Sequence, residues 1–195
     1  MNYLAHLVLS GDDPEILFGN FIGDSVKGNI QQQFSEKIKL GIELHRKIDS
    51  FTDHHVLVHQ AKAYFVAQFD KYSGVIVDIL FDHFLARKFN LFSSDSLPEF
   101  SNKVISELEK KKNLFPEGAD LFFQYMKKND VPVIYQDIKG IEKVLEGMTY
   151  RIKNRYDLVK AIPILLENYD KLEDIFLDFY PQLKKFVETF LTEHK

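Results

Sequence analysis

The segment Val77-Asp78-Ile79-Leu80-Phe81-Asp82-His83-Phe84-Leu85-Ala86-Arg87 sets two carboxylates, an imidazole and a guanidinium into an otherwise almost wholly apolar run. Asp and His rarely go fully inside a protein unless they are paired or bound to a metal. A fold that buries this helix must give those groups partners, and a cation is an economical one. Asp78 and Asp82 are four apart and share a helix face. His83 lies about 100° round from Asp82, with Arg87 one turn further on. An adjacent Asp and His can reach one cation over their common edge, and divalent metals accept mixed nitrogen and oxygen ligands. A helix-surface ion pair with Arg87 is the competing explanation. The surrounding Ile76, Val77, Ile79, Leu80, Phe81, Phe84 and Leu85 leave little room for a purely solvated face.

The rest of the chain reads as helix too. Across 195 residues there are only six Pro and nine Gly, and long apolar-periodic stretches replace the short runs of strands. Asp12-Asp13-Pro14-Glu15 starts a helix that carries Ile16, Leu17, Phe18, Phe21 and Ile22, and Gly23-Asp24 and Gly28-Asn29 mark its end or a break. Further helices are expected over 38–51, 73–89, 97–112, 117–128, 134–148, 156–169 and 172–193, with Pro163 shortening or kinking one and Pro181 interrupting the last. No internal repeat or linker is visible, so the expected architecture is all-α, a single-domain helical bundle over residues 1–195.

Composition removes several functions. There is no Cys, so disulfides, thiolate metal sites and cysteine nucleophiles are excluded. The N-terminus lacks a basic n-region and a long apolar run, and no stretch approaches the roughly 20 apolar residues of a membrane span. A soluble cytoplasmic protein with no membrane partner is the expectation. A net charge of −4 argues against general nucleic-acid binding.

Two further segments place polar groups on helical stripes. In His45-Arg46-Lys47-Ile48-Asp49-Ser50-Phe51-Thr52-Asp53, the residues His45, Asp49 and Asp53 fall four apart on one stripe, able to supply ligands or to orient a ligating imidazole, unless the stripe is simply an exposed ion-paired face. In Gly19-Asn20-Phe21-Ile22-Gly23-Asp24, two glycines flank an acid near a helix end, which lets backbone approach a ligand closely. His55 and His59 have the spacing of an H-x-x-x-H metal pair, but no Glu stands where a zincin requires it; a partly exposed helix start suits them better. His6 lies four residues after Asn2 and is a weak candidate by itself. No G-x-S-x-G and no Gly-rich phosphate loop is present.

Taken in order, Asn2-Tyr3-Leu4-Ala5-His6-Leu7, the run from Gly19 to Gly28, the run from Gly41 to Asp53 and the run from Asp78 to Arg87 resemble the acyl carrier protein phosphodiesterase family, with a weaker match at Gly147-Met148, Arg151 and Phe179-Tyr180-Pro181. The resemblance implies an all-helical fold similar to HD-domain metal-dependent phosphohydrolases. It implies removal of the 4′-phosphopantetheine arm from holo acyl carrier protein, with a divalent cation such as manganese, or else magnesium, ferrous iron or zinc. Asp82-His83 reverses the usual His-Asp order of that superfamily, so its ligand geometry does not transfer. On this reading Asp24, His45, Asp82 and His83 are the expected metal ligands. Asp78 or Asp49 takes the proton or orients a histidine, Arg46 or Arg87 holds phosphate oxygens, and His6 and Asp53 support the site. Arg46-Lys47, Arg87-Lys88 and the basic cluster 151–155 are candidate docking charges for an acidic carrier protein. The alternatives are a phosphohydrolase acting on a small nucleotide or phosphoester, and a non-catalytic helical module that binds a partner.

Overall fold

The computed structural model describes residues 2–28 and 34–194, and the expected break at Asn29 lies outside the described residues. The regular structure found among them is helical throughout. In chain order come α1 (Tyr3–Leu9), α2 (Pro14–Ile22), α3 (Glu36–His54), α4 (Val56–Ala63), α5 (Val66–Phe69) and α6 (Ser73–Arg87). These are followed by α7 (Leu97–Glu109), α8 (Ala119–Asn129), α9 (Val131–Ile134), α10 (Ile138–Arg151), α11 (Ala161–Glu167) and α12 (Tyr169–Glu193). None of the helices is long and apolar enough to cross a membrane among the described residues.

Local chemistry explains most boundaries. The Asp13 carboxylate accepts from the backbone N–H of Glu15 and Ile16 at the start of α2, and Ser96 and Glu99 close a reciprocal capping box on α7. Pro163 falls in the first turn of α11, where the missing N–H has no intrahelical partner to lose. Pro181 does not interrupt α12 as expected, because it lies on the solvent face, where water can satisfy the carbonyl it leaves unpaired. The opposite face of α12 sends Phe176, Phe179, Tyr180, Leu183 and Val187 into the core at helical spacing.

The central helix is α6. From Ile76 to Ala86 every residue except Asp78 is buried, so the helix is covered by neighbours on nearly every side. It packs against α1, α4, α10 and α12.

A close crossing with glycine on both sides joins α2 to α3. A Cβ on Gly19 would stand 2.1 Å from the Ile38 carbonyl oxygen, and one on Gly41 would stand 2.2 Å from that of Ile16. Only glycine at both positions allows the two backbones to approach this closely. The junction fixes Asn20 and Asp24 on one segment relative to His45 and Asp49 on the other.

Candidate metal centre

α1, α2 and α3 deliver the site. His6 from α1 and His45 from α3 are both buried, and their rings stack with centroids 4.1 Å apart. Between them lies Asn20, fully buried, whose side-chain oxygen is 2.9 Å from His6 Nδ1 and 3.2 Å from His45 Nδ1. The Asn20 backbone oxygen is also 2.9 Å from His45 Nδ1. The Asn20 amide nitrogen donates to the His6 carbonyl at 2.8 Å and to Ser10 Oγ at 2.9 Å, which fixes which end of the amide faces the imidazoles.

That arrangement sets the tautomers. Amide oxygens only accept, so each Nδ1 carries the hydrogen it donates. In a neutral ring the Nε2 lone pair then points away from Asn20, the form in which imidazole ligates a metal.

The two Nε2 atoms converge on carboxylates. His6 Nε2 is 3.1 Å from Asp49 Oδ1; His45 Nε2 is 3.2 Å from Asp49 Oδ2 and 3.1 Å from Asp24 Oδ1. One ligand atom each from His6, His45 and Asp49 falls within 4.8 Å of the others, a spacing one cation can span. Two imidazole nitrogens with carboxylate oxygens suit first-row divalent metals. The histidines are enclosed, while the Asp24 and Asp49 side chains stay 67% and 40% exposed, so a cation here would keep an open side.

Charge follows from this packing. Burial drives the His6 pKa down, outweighing Asp49. Burial also works to lower His45, but hydrogen bonds and attraction from Asp24 and Asp49 outweigh it and raise its pKa to about 9. Hydrogen bonding from His45 is the largest influence on Asp24 and holds it below the usual carboxylate range. Asp49 is pushed up by burial and pulled down further by His45 and His6, so it stays ionised. Without a cation the cluster is therefore held by a proton on His45 that a metal would replace.

The centre opens into a cavity of about 480 Å3. Asp53 and Asp78 join Asp24 and Asp49 in lining it. Val75, Ile79, Phe122, Tyr125, Val144 and Met148 supply the apolar and aromatic part of the lining. Tyr3 stacks on Phe122 at 3.8 Å, and burial, with Asp24 adding to it, pushes its hydroxyl up to about 12.

The expected site residues divide in two. Asp24, His45, Asp49, Asp53, Asp78 and His6 are brought together around the cavity, with His6 and Asp49 among the possible ligands rather than in outer roles. Asp82 and His83, both expected as ligands, are elsewhere. The buried Asp82 accepts from Leu4 N at 2.7 Å and from Ala5 N at 3.2 Å, and so caps α1, whose own N-cap residue Asn2 makes no side-chain cap. Burial raises the Asp82 pKa to about 7 against the pull of those two N–H groups. His83 Nδ1 donates to the Tyr135 carbonyl at 2.6 Å, and its Nε2 accepts from the Tyr169 hydroxyl at 2.8 Å. Burial lowers its pKa, so both nitrogens are used by a neutral ring.

The expected phosphate arginines are also turned away from the cavity. Arg46 donates to the carbonyls of Val26 and Gly28, and Arg87 lies over the Tyr169 ring. His55 caps α4 by accepting from Leu57 N, and His54 bonds the Ser50 carbonyl. Asn20 was missed as a site residue. The signal for it was its place between Gly19, which allows the close crossing with α3, and Gly23, which faces His45.

Comparison with known proteins points one way. A family model described as acyl carrier protein phosphodiesterase matches residues 1–183. A protein named acyl carrier protein phosphodiesterase from Yersinia pestis is 33% identical over 95% of this chain and 96% of its own length. One of the same name from Pectobacterium atrosepticum is 32% identical over 97% of this chain and 98% of its own. A third, from Escherichia coli, is 33% identical over 94% of this chain and 95% of its own. No solved structure matches the chain.

Proposed function

Because this chain belongs to the acyl carrier protein phosphodiesterase family, we propose that it hydrolyses the phosphodiester that joins 4′-phosphopantetheine to holo acyl carrier protein, using a divalent cation held by His6, His45, Asp49 and Asp24. Manganese is the ion that the family resemblance implies, and two imidazoles with carboxylates are a donor set that accepts it along with other first-row divalent metals. The observation that carries the metal is the shared Asn20 acceptor. It presents two buried imidazoles with their Nε2 atoms toward the same carboxylates.

The overall reaction is balanced simply. Water attacks phosphorus, the P–O bond to the carrier protein breaks, and the proton given up by the water is recovered by the leaving alkoxide. A divalent cation supplies Lewis-acid stabilisation of the phosphoryl charge and makes water a better nucleophile. The protein's own groups do the rest. Asn20 fixes the two rings, Asp24 and Asp49 stay anionic at the pH of reaction, and Asp78 faces the cavity as the candidate proton acceptor.

The test is direct. Purified protein stripped of metal is incubated with holo acyl carrier protein, with and without manganese, and the carrier is weighed. Loss of the phosphopantetheine mass only when manganese is present is the expected result. Unchanged carrier protein alongside turnover of a small phosphodiester would transfer the activity to small substrates.

A further inference from the structure

The cavity poses a charge problem that the metal centre does not fully answer. Four carboxylates, Asp24, Asp49, Asp53 and Asp78, line it, and a phosphodiester is an anion. Like charges at a few ångströms cost several kcal/mol at low effective dielectric. Of the arginines that sequence assigned to phosphate, Arg46 is committed to backbone carbonyls and Arg87 to an aromatic face. Among the described residues lining the cavity, Arg151 is the one Lys or Arg.

Its placement is specific. Arg151 ends α10 and reaches the cavity beside the Tyr3 hydroxyl. That hydroxyl is within hydrogen-bonding reach of Arg151 and within the electrostatic influence of Asp24 and Asp49. Tyr3 is itself held by its stack on Phe122 and sits three residues before His6 on α1. Two donors, a guanidinium and a phenolic O–H, therefore share the cavity with the metal centre.

We infer that Arg151, with the Tyr3 hydroxyl beside it, is the anion-binding corner of the cavity and grips the non-bridging oxygens of the substrate's phosphate. The guanidinium fork matches two phosphate oxygens at once, which a lysine does only as a point charge. The inference deepens the function proposed above and assigns the substrate end nearest the metal. The uncharged remainder of the arm then runs along Phe122, Tyr125 and Met148.

The experiment uses full-length Arg151→Ala, Arg151→Lys and Tyr3→Phe beside the unsubstituted protein. Binding of inorganic phosphate is measured by calorimetry, and kcat/KM is measured on holo acyl carrier protein. Loss of a charge-assisted contact predicts about tenfold to hundredfold weaker phosphate binding and a similar fall in kcat/KM for Arg151→Ala. Smaller losses are expected for Arg151→Lys and Tyr3→Phe. The melting temperature should be unchanged, because Arg151 is exposed. Added guanidinium ion should restore Arg151→Ala, which a structural role would not predict. Phosphate affinity within about threefold of the parent, or losses that neither lysine nor guanidinium corrects, would overturn the inference. The phosphate titration stands apart from the carrier-protein reaction. If the parent binds phosphate through Arg151 but leaves holo carrier protein intact, the proposed substrate fails and the corner survives.

Discussion

Gly23 offers the sharpest test of the metal centre, because it touches the site through one side chain. It follows α2, and a Cβ built on it would stand 2.4 Å from His45 Cγ and 2.8 Å from His45 Cδ2. Carbon atoms rest at roughly 3.5–4.0 Å, so Gly23→Ala must push the His45 ring by about 1 Å. The ring cannot yield freely, because its Nδ1 is held by Asn20 and its Nε2 faces Asp24 and Asp49. A displacement of that size in a group that orients a reaction costs on the order of hundredfold in rate. Disturbing a ligand's orientation costs roughly tenfold to hundredfold in metal affinity. The overpacking itself costs about 1–3 kcal/mol of stability, which a domain of this size survives. The assay titrates manganese into metal-free protein by electron paramagnetic resonance, beside kcat/KM on holo acyl carrier protein and a melting curve. Folded Gly23→Ala with parental manganese affinity and turnover would refute the assignment of His45 as a ligand.

Three further outcomes separate the groups that hold metal from those that hold helices. Asp82→Ala strands two buried backbone N–H groups at the start of α1 and should lower stability by about 2–6 kcal/mol in urea unfolding, because each unpaired buried donor costs roughly 1–3 kcal/mol. His83→Gln should lose stability but keep manganese affinity within about threefold, whereas His6→Ala should lose affinity by at least about tenfold; equal losses in both would return His83 to the metal. The His45 pKa is raised to about 9, so its contribution to metal-free stability is fully present below its unfolded value near 6.5 and is lost as pH rises through 9. A metal must displace that proton, so apparent manganese affinity should rise about tenfold per pH unit from 7 to 9, and calorimetry in buffers of different ionisation heat should count one proton released.

The helices were readable because their apolar periods and caps are local. Asp13 before Pro14 and Ser96 three residues before Glu99 announce their helices without any tertiary partner. The candidate site was readable where its groups share one helical stripe, as His45 and Asp49 do, although Asp49 was expected in an outer role rather than beside the imidazoles. It failed at Asp82 and His83. A buried carboxylate needs positive partners, and sequence cannot distinguish a cation from the N–H groups of another helix's first turn. The answer depended on α1 ending against α6, a contact between residues 77 and 78 positions apart. His83 failed for the same reason, since its partners Tyr135 and Tyr169 lie 52 and 86 residues away. Arg46 follows His45 in sequence but its side chain binds the Val26 and Gly28 carbonyls, and Arg87 lies over the Tyr169 ring.

The crossing at Gly19 and Gly41 also divides the molecule by how freely it can change over generations. No side chain larger than hydrogen fits at either point, and Asn20 and Gly23 are tied to the same junction. The half of the cavity built on α2 and α3 is thus frozen as a unit, because altering one position obliges several to alter together. The half built on α8 and α10 presents Phe122, Tyr125, Val144 and Met148, and the glycine contact there, Gly140 against the Ile134 carbonyl oxygen, joins α10 to α9 without involving these four. Substitutions can accumulate at those four positions one at a time while the groups on α2 and α3 stay as they are.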